Sequence, residues 1–252
     1  MTGWTIAMLL CGAFAGGFIN GLAGFGTALF ALGFFLNVMP PVQAVAVVVI
    51  LSVASGLQGL WRVRHDIHQQ PARVLRFLLP GVLGVPLGVG LLAMIDAQTL
   101  KLVIAGFLIL YGGYFSFRKT LPVYADQTRK TDATVGFIGG ILGGAASLSG
   151  ALPTMWCSMK PWPKTETRAV LQSFNVAILG ITALLLAWRG AYDRSTLLMI
   201  LIALPSTMIA AQIGLHVFGR LSTDLFRRFL IGLTFVSGSI LMARELWALG
   251  VG

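Results

Sequence analysis

Charged side chains are scarce in this sequence, and acidic ones are the scarcest. Only 10% of the 252 residues are charged, whereas 57% are hydrophobic and the mean hydropathy is +0.87. So little polar surface cannot cover a water-soluble globule of this length. The composition therefore excludes a soluble protein and predicts a chain whose solvent is the lipid bilayer.

No acidic residue lies in the middle of an apolar segment. The eight acids fall in connections or within a turn of a segment end, at Asp66, Asp96, Asp126, Asp132, Glu166, Asp193, Asp224 and Glu245. A carboxylate relay for protons and a charged ligand for Na⁺ are thus absent from the expected membrane core. Coupling of any transport to those ions through a buried acid is not expected.

Reactive groupings are absent too. The two cysteines, Cys11 and Cys157, lie in apolar segments without a CxxC or Cys/His spacing, so we interpret both as small buried thiols. No nucleophile with an activating partner, acid–base pair or metal-ligand cluster falls within the apolar segments. An embedded enzyme is therefore not expected, and the sequence predicts neither a cofactor nor a metal.

Long apolar stretches fill most of the chain, and most reach the roughly 20 residues that span a hydrocarbon core. They cover residues 4–36, 42–61, 77–95, 100–117, 135–157, 169–188, 197–218 and 226–247. Tryptophan favours the headgroup region, and the tryptophans stand at segment ends, at Trp4, Trp61, Trp156, Trp162, Trp188 and Trp247. The sequence predicts an all-α, multi-pass integral membrane protein. No basic region precedes the first apolar stretch, so no removable signal peptide is expected.

The two halves of the chain repeat one pattern of glycine and proline. An offset of 124 pairs Gly12 with Gly136, Gly16 with Gly140 and Gly26 with Gly150; an offset of 126 pairs Gly88 with Gly214, Lys101 with Arg227, Gly106 with Gly232 and Gly112 with Gly238. Pro80 and Pro205 differ by 125. We therefore predict one transmembrane domain of two repeats, residues 4–118 and 134–250, joined by a cytoplasmic linker, residues 118–133.

Each repeat opens with a glycine-rich stretch, residues 12–35 and 136–159, that is too long for one straight span and too short for two. Backbone that breaks at membrane depth is tolerated only where it is buried in protein or lines a cavity. Both stretches are therefore candidate hairpins of two short helices, with tips at 21–26 and 145–150. Three transmembrane helices would follow each hairpin, and the alternative is a single full span in its place.

The distribution of basic residues favours the hairpins. A hairpin leaves three crossings in each half, which inverts the second half and places fourteen of the 18 Lys and Arg residues in the cytoplasm and four outside. The cytoplasmic set is Arg62, Arg64, Arg73, Arg76, Arg118, Lys119, Arg129, Lys130, Lys160, Lys164, Arg168, Arg220, Arg227 and Arg228. Full spans give the weaker split of eleven to seven. Inverted repeats around a midplane site are a transporter architecture. Basic residues spread over short loops do not form a nucleic-acid surface.

Neutral polar residues cluster on or near the two glycine-rich stretches. Interhelical hydrogen bonds explain an isolated Ser or Thr in a membrane helix, and glycines such as Gly12, Gly16, Gly84 and Gly88 are expected to pack helices closely. Hairpin tips, however, present free N–H groups and the positive end of a helix dipole, which suit an anion. The candidate solute-binding residues are Asn20, Gly24, Gly26, Ser147, Ser149, Gly150, Gln172, Asn175 and Arg168.

Two further motifs accompany the two-half layout and the glycine-rich openings: PGVLGVPLG at residues 80–88 and KTETRAVLQSFNVAILG at residues 164–180. In these features the chain resembles the TauE/SafE family of sulfite-exporter-like membrane proteins. The resemblance implies export of a small organosulfonate, sulfur oxyanion or related carboxylate across the bacterial inner membrane. The family pattern also leads one to expect Pro153 and Arg168 after the second glycine-rich stretch. A non-transporting membrane scaffold is the alternative function.

The inverted topology makes a direct prediction. Tags at residues 1 and 252 are both expected outside the cell, and a tag inserted near Thr120 in the cytoplasm, because this arrangement gives the fourteen-to-four split. Reporter fusions measure each location. Opposite locations for the two termini would contradict the arrangement, and two cytoplasmic termini would favour parallel halves with four spans each.

Overall fold

The computed structural model describes residues 3–69, 71–116, 129–157 and 159–222, together with isolated positions beyond 222. This part of the chain is helical, as the all-α prediction requires. The helices are α1 Gly3–Ala23, α2 Thr27–Phe35, α3 Pro41–Gln69, α4 Pro71–Leu92, α5 Ala97–Ser116, α6 Arg129–Ala146, α7 Ala151–Cys157, α8 Lys164–Trp188 and α9 Arg194–Arg220. Proline at the first position of α3 and α4 suits a helix start, where its missing N–H costs no hydrogen bond.

Several helices are long and apolar enough to cross a membrane. In the described residues these are Gly3–Ala23, Pro41–His65, Pro71–Leu92, Thr165–Trp188 and Arg194–Arg220. In α5 the apolar part is the shorter stretch Ala105–Tyr114. The protein is therefore a multi-pass membrane protein. The predicted linker is partly helical, since α6 already begins at Arg129. Its earlier part lies outside the described residues, and so does the last predicted segment apart from isolated positions.

Both glycine-rich stretches break where the tips were predicted. Between α1 and α2 the chain turns at Gly24 and Gly26, which have φ angles of 84° and 98°. Such positive φ values favour glycine because it has no Cβ. In the second stretch, α6 ends before a turn in which Ser147 has a φ of 58°.

In both stretches the second helix folds back on the first. In the first, a Cβ built on Gly16 would lie 2.8 Å from the Thr27 carbonyl, and one on Gly12 would lie 2.7 Å from the Phe35 ring. In the second, the Trp156 indole near the end of α7 donates a 2.6 Å hydrogen bond to Asp132 in the first turn of α6. Both stretches are therefore helical hairpins.

Each long hairpin helix packs against a helix from the other half of the chain. On α1 and α9, Ser206 donates to the Leu10 carbonyl and Thr207 to the Ala13 carbonyl, while Gly214 faces Phe18. Residue numbers rise together along both helices, so α1 and α9 run parallel. The corresponding pair, α6 and α4, is also parallel, with Gly136, Gly140 and Gly144 facing Phe77, Gly81 and Val85 in turn.

The remaining long helices, α3 and α8, cross near their midpoints. Gln172 of α8 donates a 3.0 Å bond to the Gly56 carbonyl of α3, and Gly56 also faces Val176. Near the other end, the Tyr192 hydroxyl after α8 bonds the Ala46 carbonyl. Residue numbers on one helix fall as those on the other rise, so the two run antiparallel.

Two expectations about individual side chains are wrong. Cys157 is buried, but Cys11 is exposed on α1, because an apolar helix offers no polar stripe that marks its outer face. Trp162 is buried rather than placed at an interface, and its ring lies 4.8 Å from the Arg73 guanidinium carbon. The close-packing role of Gly12, Gly16, Gly84 and Gly88 is confirmed, since a Cβ at each would meet a neighbouring helix.

The contact between α4 and α6 generates a stability prediction. A Cβ on Gly140 would collide with the Gly81 carbonyl, so Gly140→Val should force the helices apart and cost roughly 1–3 kcal/mol or more. Thermal unfolding of purified protein in detergent measures the loss. Gly180→Ala on α8 is the matched control, because nothing lies within 4 Å of its Cβ position. It should leave the stability equal or raise it by about 0.5–1 kcal/mol.

Candidate functional site

The two hairpin tips meet beside the crossing of α3 and α8. A Cβ built on Gly150 of the second tip would touch the Phe25 side chain of the first, so the tips are in direct contact. Polar side chains from both tips and both crossing helices gather around this point. The tips and the mid-parts of α3 and α8 thus form a single buried cluster.

The first tip is held by residues of the second half. A Cβ on Gly24 would lie 2.9 Å from the Gln172 side-chain oxygen, whose amide nitrogen bonds the Gly56 carbonyl. Gly24 therefore permits close approach of the backbone to α8. Gly26, by contrast, faces Ile19 and Leu29, so its place is the left-handed turn before α2 rather than the polar cluster.

Asn20 connects the first hairpin to α3. Its amide nitrogen donates to the Ser55 hydroxyl at 2.6 Å and to the Ser52 carbonyl at 3.1 Å. Ser55 in turn donates to the Leu51 carbonyl. The Asn20 side-chain oxygen and the Ser52 hydroxyl have no hydrogen-bond partner in the described part of the protein.

The second tip contributes a paired hydroxyl and amide. Ser149 donates a 2.6 Å hydrogen bond to the Asn175 side-chain oxygen, which leaves the Asn175 amide nitrogen without a partner among the described residues. Both residues are buried. Ser147 has a different role: its N–H bonds the Gly143 carbonyl, which is the bond of an αL helix end, and the Leu148 N–H bonds the Leu142 carbonyl.

Arg168 is the cation of the site. It is 3% exposed, and its two terminal nitrogens donate to the Gly21 carbonyl at 2.7 Å and the Leu22 carbonyl at 3.0 Å. These carbonyls belong to the last turn of α1, where helix carbonyls lack partners and carry partial negative charge. The guanidinium carbon lies 4.2 Å from the Phe218 ring centre, and the Arg168 Nε–H has no partner among the described residues.

The predicted site residues therefore divide into two groups. Most of them come together at the meeting point of the tips: Asn20, Gly24, Ser149, Gly150, Gln172, Asn175 and Arg168. Gly26 and Ser147 instead have the positive φ angles that form the turns. The Ser147 hydroxyl is nevertheless buried and has no partner among the described residues. Sequence reasoning missed Ser52, Ser55, Gly56 and Phe25. Ser52 and Ser55 are hydroxyls in an apolar helix, but nothing in the sequence connects them to Asn20, which is 32 and 35 positions away.

Several polar groups in this region have no partner among the described residues. The Arg168 Nε and the Asn175 amide nitrogen are donors, the side-chain oxygens of Asn20, Gln58 and Gln172 are acceptors, and the hydroxyls of Thr27, Ser52, Ser147 and Ser173 can act as either. A buried polar group without a partner costs about 1–3 kcal/mol, so groups like these mark a place for a ligand or water. Hydroxyl and amide donors beside a cation suit an oxyanion.

Comparison with known proteins decides the family. The family model described as "Sulfite exporter TauE/SafE" matches residues 8–241. The chain belongs to the TauE/SafE family. A relative from Cupriavidus necator, named "Probable sulfite/organosulfonate exporter TauE", is 27% identical and covers 93% of each chain. No solved structure matches. The resemblance in the sequence is thus confirmed, and the broad function of this TauE/SafE protein is membrane transport.

The Ser149–Asn175 pair generates a binding prediction. With sulfite as the probe of an oxyanion site, Ser149→Ala should weaken binding by about 0.5–3 kcal/mol, because it removes the hydroxyl that orients the Asn175 amide. Sulfite-dependent thermal stabilisation of the purified protein measures the affinity. Thr182→Ala is the matched control: its hydroxyl is equally buried on α8 but bonds only the Ile178 carbonyl of its own helix. Equal affinities for parent and Ser149→Ala would contradict the placement.

Proposed function

We propose that this protein exports a small oxyanion, sulfite or an organosulfonate, across the bacterial inner membrane and binds it where the hairpin tips meet. The observation that carries the proposal is Arg168. Its guanidinium is buried, and no carboxylate pairs with it among the described residues. A buried charge is costly and marks a functional site in a membrane protein unless a partner neutralises it.

Part of the positive charge of Arg168 remains available to an anionic solute. The carbonyl end of a helix carries about half an elementary negative charge, so the end of α1 offsets only part of the guanidinium. An oxyanion beside the Arg168 Nε would supply the missing negative charge and accept from the unpartnered donors.

The neighbouring backbone is suited to a compact solute. Gly24 and Gly150 lack side chains at the two tips, and the Thr27 hydroxyl at the start of α2 is buried and unpartnered. The cluster lies near the midpoints of α3 and α8. A small anion at this depth could be approached from either side of the membrane, as alternating access requires.

The proposed arrangement of the halves is an inverted repeat. It is supported by the directions of the helices: α3 and α8, which are equivalent under the predicted repeat, run antiparallel, and the equivalent pairs α1 with α9 and α6 with α4 both run parallel. The contacts of Gly88 with Ile141 and of Gly214 with Phe18 are equivalent under the predicted repeat to within one residue.

The membrane potential is the proposed energy source. Among the described side chains, Asp132 pairs with Lys160 and Glu166 with Arg73 at helix starts. Asp96 and Asp193 are exposed and accept hydrogen bonds from Thr99 and Thr196. The described residues of the tips include no carboxylate that would carry a proton with the solute. An interior-negative potential expels a monovalent anion with about 2.3 kcal/mol per 100 mV and a divalent one with roughly twice that.

Reconstitution tests the proposed function. Proteoliposomes loaded with sulfite should release it faster when valinomycin and a K⁺ gradient make the interior negative, since the potential drives the anion outward. Arg168→Gln should raise the KM for sulfite by about tenfold or more, because a hydrogen bond to a charged group contributes roughly 1.5–3 kcal/mol. Arg168→Lys should recover part of this loss, since it keeps the charge but not the planar fork.

The control is Arg64→Gln, which removes an exposed guanidinium that lies 4.1 Å over the Trp61 ring. It should transport like the parent at equal amounts of inserted protein. Parent protein that inserts but releases no sulfite above empty liposomes would sink the proposal and favour a scaffold. Release that ignores the potential and requires a proton gradient would refute the energy source alone.

A further inference from the structure

The second hairpin is closed at its base by a buried ionic and aromatic contact, which we call the base clamp, formed by Asp132, Trp156 and Lys160. The Lys160 ammonium lies 3.7 Å from the Asp132 carboxylate, and both side chains are almost fully buried. The Trp156 indole donates to the same carboxylate oxygen at 2.6 Å, and the ammonium lies 4.7 Å from the Trp156 ring centre. The three side chains thus contact one another pairwise.

Stability alone is a poor explanation for the base clamp. Removing an ammonium and a carboxylate from water costs several kcal/mol for each ion, and apolar replacements of such pairs are often neutral or stabilising. The better supported use of a buried pair is to specify one arrangement among alternatives. Here the arrangement that it specifies is the position of α7 on α6.

The base clamp is connected to the tip by one short rigid element. Trp156 lies near the end of α7, a helix of seven residues, and Ser149 and Gly150 immediately precede its start. At about 1.5 Å per residue, α7 separates the clamp from the tip by roughly 10 Å. Displacement of α7 at its base would therefore be transmitted to Ser149 and its bond with Asn175.

The first hairpin cannot form an ionic contact of this kind. No Lys, Arg, Asp or Glu side chain occurs before Arg62 in the sequence. At its base, the Asn37 amide bonds the Gly33 and Phe34 carbonyls of the preceding turn. The two hairpins therefore differ in that a pair of oppositely charged side chains joins α7 to α6, whereas no such pair can join α2 to α1.

We propose that Asp132, Lys160 and Trp156 are positioning residues that fix α7 on α6 and hold Ser149 opposite Asn175. The second hairpin is then the fixed wall of the solute site. The link to transport depends on the proposed function above, whereas the effect on the position of α7 does not. Two readouts separate these claims.

The first readout is hydrogen–deuterium exchange of peptides covering residues 147–157, measured for the protein in nanodiscs. The double variant Asp132→Asn with Lys160→Gln removes both charges of this pair, so neither Asp132 nor Lys160 is left facing a neutral side chain in place of its partner. It is therefore expected to insert normally. Its exchange in this segment should be at least about tenfold faster than in the parent, because local opening becomes easier. Trp156→Phe keeps an aromatic ring but removes the indole N–H donor, so its exchange rate in this segment should increase by less.

The second readout is sulfite efflux. The neutral double variant should show a KM raised about five- to tenfold with the maximal rate within about twofold, as expected when only solute positioning is lost. Exchange of the two charges, Asp132→Lys with Lys160→Asp, should return both readouts toward the parent values. Lys130→Gln, which removes an exposed cation from the same turn of α6, is the control and should change neither.

Each outcome decides the proposal. Parental exchange at residues 147–157 in the neutral double variant would overturn it, and so would faster exchange spread over all helices, which would indicate a general loss of stability. Faster exchange confined to this segment with an unchanged KM would overturn the role in solute positioning. If the parent transports no sulfite, the proposed function fails, and the exchange experiment still decides whether the clamp fixes α7.

Discussion

A helix that ends inside a bilayer exposes backbone groups that lipid cannot satisfy, and both hairpins must solve this problem at their tips. At the second tip the backbone does so itself, because the N–H groups of Ser147 and Leu148 bond the Gly143 and Leu142 carbonyls. At the first tip, the Gly24 N–H bonds the Asn20 carbonyl, and the carbonyls of Gly21 and Leu22 are satisfied by Arg168. The position of a buried cation is thus set by a broken helix.

This solution connects the two halves of the protein. Arg168 belongs to α8, whereas the carbonyls it satisfies belong to α1, 146 and 147 positions earlier. Asn20 and Gln172 make further bonds to α3. The side chains that bond the backbone around the broken helix also form the polar cluster at the tips. The fold and the candidate site therefore depend on the same side chains.

The sequence was informative where local chemistry dominates. Glycine density marked both breaks within a few residues, and buried amides and hydroxyls in apolar segments identified Asn20, Ser149, Gln172 and Asn175. Long-range partners could not be deduced, because an almost uniformly apolar helix carries little periodic signal for which face meets protein and which meets lipid. Cys11, Trp162 and the Ser52–Asn20 contact all fall into this class. The expectation that a tip offers only positive dipole ends was also incomplete, since each tip also contains a helix C-terminus with its carbonyls.

The positive charge of the site comes from the second half of the chain alone, as far as the described residues show. At the offset of 124 that relates the glycine-rich stretches, Arg168 corresponds to Ala44, which is fully buried on α3. The first half therefore supplies carbonyls and amides, and the second half supplies the cation. In the proposed function, an oxyanion accepts from the Arg168 Nε–H, the donor that the α1 carbonyls leave unused, so solute and carbonyls share the one guanidinium that the described residues place at the tips. The interaction of Arg168 with α1 would then differ between the empty and the occupied site, which is the kind of differential contact that a change between conformations requires.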